Sequence, residues 1–288
     1  MLANLDALVT ALYVRIDDLL PAREGPGRPP KITDAELIVL AVAQMFLGLP
    51  NDRRFLALAR WRLGHLFPYC PSSRATKRLR ALAPTIGQLV THLALHSPSF
   101  CDGLRLLDST PVPCAQSRET VRRSELAGLA EYGYCASHSR YFWGFRLYLL
   151  CAPDGMPIAF ELAPANASER QVAGEMLARV DLDGYTVMGD KGFAGEDFEA
   201  SMANLGARFM RPDRRDEPRR HGSLGPVRQW IESVFWTCKG QLSLEAHGGR
   251  TLGGLCTRVA LRLLALAAGL VYNQAIGAPG RRFAAFGY

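Results

Sequence analysis

Residues 187–193 read VMGDKGF. A short apolar run followed by an acid and a lysine between two glycines is the pattern of a strand that stops at a sheet edge and delivers a carboxylate there. Such a turn adds little to stability, so Asp190 asks for a functional account. YTVM (185–188) is the strand itself, a helix is expected from about Ala167 to Val180 before it, and another from about Gly195 to Leu205 after it. ARFM (207–210) is a further strand that stops at Pro212, and a helix opens near Pro226. Upstream, GLRLLDST (103–110) is a strand expected to end in a second acid, Asp108, and FRLYLLCAPDGMPIAFELAP (145–164) predicts two strands around a Pro153-Asp154-Gly155 turn. The order is three strands, helix, strand, helix, strand, helix, which is an α/β domain.

The first hundred residues follow another grammar. Met1 to Leu20 has helical spacing, and REGPGRPPK then breaks it with glycines and prolines. Thr33-Asp34-Ala35-Glu36 fits a capping box ahead of the apolar run Leu37 to Leu47. Helical patterns continue through Arg53 to Leu63 and Ser73 to Leu95. The expected organisation is an all-helical region over 1–100 and an α/β domain over 101–288.

Composition narrows the classes. The chain has 288 residues, 48% hydrophobic and 21% charged, ordinary for a globular protein and unlike a disordered tail. The longest uninterrupted apolar stretch, Leu263 to Tyr272, is well short of the roughly 20 residues of a membrane span, and no signal-peptide pattern opens the chain. A cytoplasmic protein with no membrane partner is expected. Seven scattered cysteines, none spaced as Cys-x2-Cys, signal neither a disulfide framework nor a zinc knuckle. The net charge is +7, and residues 1–100 carry 12 Lys+Arg against 7 Asp+Glu. No acid occurs from Arg53 to Cys101, where eight Arg and Lys residues fall. One-signed clustering of this kind suits phosphate binding, because each neutralised phosphate releases condensed counterions. SSRATKRLRAL is the best candidate for a helix that meets DNA, through Arg74, Lys77, Arg78 and Arg80, and PGRPPK, with Arg28, is a candidate to track a groove.

Three acids then share one place. If the first and fourth strands are neighbours, Asp108 and Asp190 meet at like ends, and a helix packed across that end brings Glu232. Three adjacent carboxylates raise one another's pKa unless cations neutralise them, and hard divalent ions with oxygen ligands fit that need. Gly189 and Gly192 would keep this edge open to a polymer backbone. On the Glu232 helix, Val227, Ile231, Val234 and Cys238 form an apolar stripe, while Arg228, Glu232 and Lys239 share the adjoining face. Only four of the 34 basic residues are Lys, and Lys191 and Lys239 adjoin the candidate acids.

DSTPV, SRYFWGFRLYLL, GDKGF and RQWIESVFWTCK resemble, in order and spacing, the DDE transposases of bacterial insertion sequences, most closely insertion-sequence family 982. The resemblance runs from about residue 1 to Asn273. It implies a ribonuclease-H-like catalytic domain, with a mixed five-stranded sheet and helices, behind a helical region that binds DNA ends. It implies catalytic acids Asp108, Asp190 and Glu232 as ligands of two Mg²⁺ or Mn²⁺ ions about 4 Å apart. Arg228-x3-Glu232-x6-Lys239 is similar to the family's Tyr-x2-Arg-x3-Glu-x6-Lys signature, with Gly225 in place of the tyrosine. Lys191, Arg228 and Lys239 would then hold phosphates or balance transition-state charge. The implied partners are double-stranded transposon ends and target DNA, and pairing two ends implies a homodimer in the active complex. Two rival readings use the same residues or fewer: a nuclease of this fold that only hydrolyses, and a catalytically silent DNA-binding repressor.

Other signals are weaker. His92 and His96 have zinc-compatible spacing without a third ligand, and His138 and His247 need no more than packing or a phosphate hydrogen bond. The stripe Leu255, Val259, Leu263, Leu266, Leu270 is expected to be a helix covering the sheet.

Overall fold

The computed structural model describes residues 4–21, 30–69, 71, 73–135, 139–214, 217–218 and 224–286. Its contacts gather into two units, one of Met1–Leu93, Thr237–Gly249 and Gly253–Tyr288, the other of Ala94–Trp236 and Arg250–Leu252.

The first unit is helical. Helices α1 (Leu5–Asp17), α2 (Asp34–Phe46), α3 (Asp52–Arg62), α4 (Ser73–Ala81) and most of α5 (Ala83–Leu95) belong to it, together with α10 (Leu252–Ala275). The expected capping box closes α2: Thr33 Oγ1 accepts from the Glu36 backbone N–H at 3.0 Å, and Glu36 Oε2 accepts from the Thr33 backbone N–H at 2.6 Å. Apart from Asp34 and Glu36 the whole of α2 is buried, so this helix is the centre of its unit rather than a one-faced surface helix. Phe46 at its end meets the rings of Phe283 and Phe286 at 5.6 and 5.1 Å, edge-on. One helix was expected through Ser73 to Leu95; two form, parted at Leu82, since Pro84 cannot donate within a continuing helix. Helix α10 is long and apolar enough by composition to cross a membrane, and most of its residues are buried. It clusters with the helices and not, as its stripe suggested, with the sheet.

The second unit carries the sheet: β1 (Leu104–Ala115), β2 (Glu131–Cys135), β3 (Arg140–Cys151), β4 (Pro157–Pro164), β5 (Thr186–Met188) and β6 (Arg208–Met210). The order is β2-β3-β1-β5-β6, with β4 also on β3. β3 is long enough to pair β2 along Arg140 to Gly144 and β4 along Phe145 to Cys151. β1 and β3 are antiparallel, while β1, β5 and β6 are parallel. Helices α7 (Glu169–Leu177) and α8 (Glu196–Asn204) connect the later strands, α6 (Arg118–Arg123) follows β1, and α9 (Gly225–Gly240) follows β6. This mixed sheet, in which the antiparallel β4, β3 and β1 are continued by the parallel β5 and β6, is the ribonuclease-H-like arrangement. It has six strands rather than the expected five, because the short β2 fills the edge of β3 that β4 leaves free.

β1 corrects a second expectation, since it runs on past Asp108 to Ala115. Prolines 111 and 113 discouraged that reading. They are tolerated because the pairing of β1 with β5 ends at Leu106, leaving one edge of β1 without a ladder beyond it. Opposite the irregularity at Pro113/Ala115, Gly144 adopts φ +156°, and a Cβ there would stand 2.3 Å from the Val112 carbonyl oxygen.

Candidate active site

The parallel register of β1 and β5 places the first two acids. Leu106 pairs with Met188, and each acid lies two residues further on, so Asp108 and Asp190 stand level just past the point where the β1–β5 pairing stops. They share a shallow cleft with Arg228 and Ile231. Asp190 is held from both sides: its Oδ1 accepts from the Lys191 backbone N–H at 2.5 Å as the cap of a short turn, Lys191–Phe193. Phe193, buried at the end of that turn, packs on Phe198, which meets Phe209 of β6. Lys191 itself is exposed at the rim.

The two glycines around Asp190 act differently from expectation. Neither has positive φ among the described residues. A Cβ on Gly189 would press on the rings of Phe209 and Phe193 at 3.0 and 3.2 Å, and one on Gly192 would stand 2.7 Å from Glu169 Oε2. Their bareness admits close neighbours rather than openness to a polymer.

Asp108 is half-buried, and its Oδ1 accepts from the Ser109 backbone N–H at 2.7 Å. Burial pushes its carboxyl up to about 7; the charges of Asp190 and Glu169 push the same way, while the Ser109 N–H and Arg228 oppose them. Arg228 on α9 reaches Asp190 Oδ1 at 3.2 Å and Glu232 Oε1, one turn along its own helix, at 3.5 Å. Of the expected apolar stripe Ile231, Val234 and Cys238 are buried and Val227 is half-buried, and the Glu232 side chain is 57% exposed on the adjoining face. Asp108 and Asp190 are therefore brought together directly, and Glu232 through Arg228. Among the described residues no three His, Cys, Asp or Glu side chains are gathered as a ready metal cluster. Lys239, two turns beyond Glu232, pairs with Glu245 at 3.3 Å.

Sequence reasoning missed Glu169. The first residue of α7, it accepts from Ser109 Oγ at 3.4 Å and pairs with Arg146 of β3 at 3.1 Å. Arg146 also donates to the Tyr134 carbonyl oxygen at 2.6 Å. Beside them the Tyr148 hydroxyl is buried and, among the described residues, has no hydrogen-bond partner; burial, then Glu169, pushes it up to about 12. The available signal was Arg146 itself, a cation within the apolar run GFRLYLL that requires an acid from elsewhere.

Of the candidate DNA contacts, Arg28 lies outside the described residues, as does the Arg74 side chain. Lys77 and Arg80 are exposed on α4. Arg78 turns inward, donating to Asp34 at the start of α2 and to the Ile32 carbonyl oxygen at 3.0 Å.

Against solved structures, the chain is similar to the piggyBac transposase in its synaptic complex with hairpin DNA: 8% identity, 96% of this chain and 80% of that one, TM-score 0.43. It is also similar to the Mos1 transposase in its paired-end complex with the left transposon end: 12% identity, 81% and 80% covered, TM-score 0.25. No curated protein matches. The sequence profile of the transposase DDE domain matches residues 99–268. Because that match runs from just before β1 to deep within α10, over more than half of the chain, the protein belongs to the family of transposases with a DDE domain.

Proposed function

We propose that this transposase cuts the 3′ ends of a bacterial insertion sequence, of the type of insertion-sequence family 982, and joins them to target DNA. The observation that carries the reading is the level placement of Asp108 and Asp190 on adjacent parallel strands, with Arg228 spanning Asp190 and Glu232. The donor set fits divalent cations: all three acids offer oxygen, and burial with the nearby charges of Asp190 and Glu169 holds the Asp108 carboxyl up to about 7, a penalty that a cation would relieve. Two Mg²⁺ or Mn²⁺ ions held by Asp108, Asp190 and Glu232 would activate the attacking oxygen and stabilise the departing one.

The chain's own residues supply the rest. Asp190 is oriented by the Lys191 N–H and by Arg228, so its carboxylate is fixed before DNA arrives. Asp108 loses its proton near neutral pH, when positive charge beside it makes the anion favourable. Arg228, paired with Asp190 and Glu232, and the exposed Lys191 would meet phosphate oxygens. Lys239 adds a cation to the same helix. The exposed Lys77 and Arg80, with Arg28 and Arg74, would hold duplex ends. Pairing two ends calls for a homodimer in the active complex.

The test is incubation of a labelled duplex end from the element flanking the gene with Mg²⁺ or Mn²⁺, wild type against Asp190→Asn. Metal-dependent 3′ nicks and joined product, both lost in the variant, support the proposal. Nicks without joining would leave a nuclease, and binding without nicks a repressor.

A further inference from the structure

A second candidate site lies in the helical unit. Between the end of α3, the start of α4 and the segment before α2 is a cleft of about 940 Å³. Its lining includes Lys31, Arg60, Trp61, His65, Tyr69 and Arg78 and, among the described residues, no carboxylate. Trp61 is 81% exposed and Tyr69 50%, high for rings of that size. Lys31 places its ammonium 5.4 Å from the centre of the Tyr69 ring. Among the described residues neither Lys31 nor Arg60 has an acid partner, whereas Arg78 is already bound to Asp34 and His65 to Asp6 at 3.1 Å. The cleft falls largely within the stretch that carries no acid from Arg53 to Cys101.

Exposed aromatic faces beside uncompensated cations are the chemistry that holds single-stranded nucleic acid, with bases stacking on rings and phosphates meeting cations. A concave cleft admits one or two nucleotides, whereas a duplex can only lie across it. We propose that this cleft takes an unpaired nucleotide of DNA, its base against Trp61 and Tyr69 and its phosphate on Arg60 and Lys31. The choice of nucleic acid as ligand rests on the transposase reading; the site itself is independent of the acids of the sheet.

The probes are a fluorescein-labelled oligothymidylate and a blunt duplex of the same length, titrated against the full chain by anisotropy. Removing one stacking ring, Trp61→Ala, should weaken oligothymidylate binding by about 5- to 150-fold and leave duplex binding unchanged. Trp61→Phe should keep most of the affinity, and Arg60→Gln should flatten the salt dependence by about one phosphate contact. Trp61 is so exposed that its truncation leaves the melting temperature in place, which excludes misfolding as the cause. Equal oligothymidylate affinity in wild type and Trp61→Ala, or none in the wild type, would overturn the proposal. Trp61-dependent binding that persists in Asp190→Asn supports the nucleotide site even where no cleavage is found. Cleavage together with Trp61-independent binding sinks the nucleotide site alone.

Discussion

Asp108→Asn should make the protein more stable while abolishing its proposed chemistry. The Asp108 carboxyl lies at about 7 in the fold, against about 3.9 in an unfolded chain. Below roughly pH 4 both states hold the proton, and folding is indifferent to it. Between roughly pH 4 and 7 the unfolded chain gives the proton up while the fold retains it, so stability falls as pH rises, and above 7 the loss is complete. Three pKa units correspond to about 4 kcal/mol, and water reaching a half-buried carboxyl reduces this to about 2 kcal/mol. Asparagine is neutral at every pH and can still accept from the Ser109 N–H through its side-chain oxygen. Thermal unfolding in chelator should therefore show wild type and variant together near pH 4 and separated by about 4–8 °C at pH 8, the variant higher. Mg²⁺ in hundredfold excess over its dissociation constant should raise the wild type by about 2.7 kcal/mol and close the gap. A gap that does not change with pH, or a wild type that is the more stable at pH 8, refutes the assignment of a strained carboxyl to position 108.

Arg228→Ala removes the cation between Asp190 and Glu232, so cleavage should fall by about 10²–10³-fold and the acidic limb of its pH profile should move upward. Arg228→Lys should recover little, because one ammonium cannot span both carboxylates as the guanidinium does. Glu169→Gln leaves Arg146, whose side chain is only 13% exposed, without its counter-charge, and urea unfolding should report a loss of about 1–3 kcal/mol. Gly144→Ala drives a Cβ to 2.3 Å from the Val112 carbonyl oxygen and should cost about 3 kcal/mol or more, whereas Gly174→Ala, in α7 with nothing within 4 Å, should gain about 0.5–1 kcal/mol.

What the sequence disclosed and what it hid follow one physical line. Asp108 and Asp190 were legible because an apolar run closing on an acid has few other uses, and Glu232 because a 3.6-residue period separates a packing face from its neighbour. Periodicity reports which way a side chain leaves its element, not what it meets. So Gly189 and Gly192 read as open ground, and only the rings of Phe209 and Phe193 and the carboxylate of Glu169, brought there by β6, the turn after Asp190 and α7, show what a Cβ would press against. The extension of β1 through Pro111 and Pro113 was hidden for the same reason: a proline is excluded by a ladder, and whether a ladder exists depends on where β5 stops.

Arg146 shows how a partner can be demanded by sequence without being located by it. A guanidinium within GFRLYLL, flanked by residues buried in a central strand, cannot remain without hydrogen bonds and a counter-charge. The requirement predicts an acid and a carbonyl somewhere. It is met by Glu169 at the first turn of α7 and by Tyr134 on the short strand β2, which supplies a backbone oxygen and no side-chain signal. That explains why β2 escaped a pattern search while still serving the site. Its carbonyl holds Arg146, Arg146 holds Glu169, and Glu169 adds its charge to the burial that raises the Asp108 carboxyl.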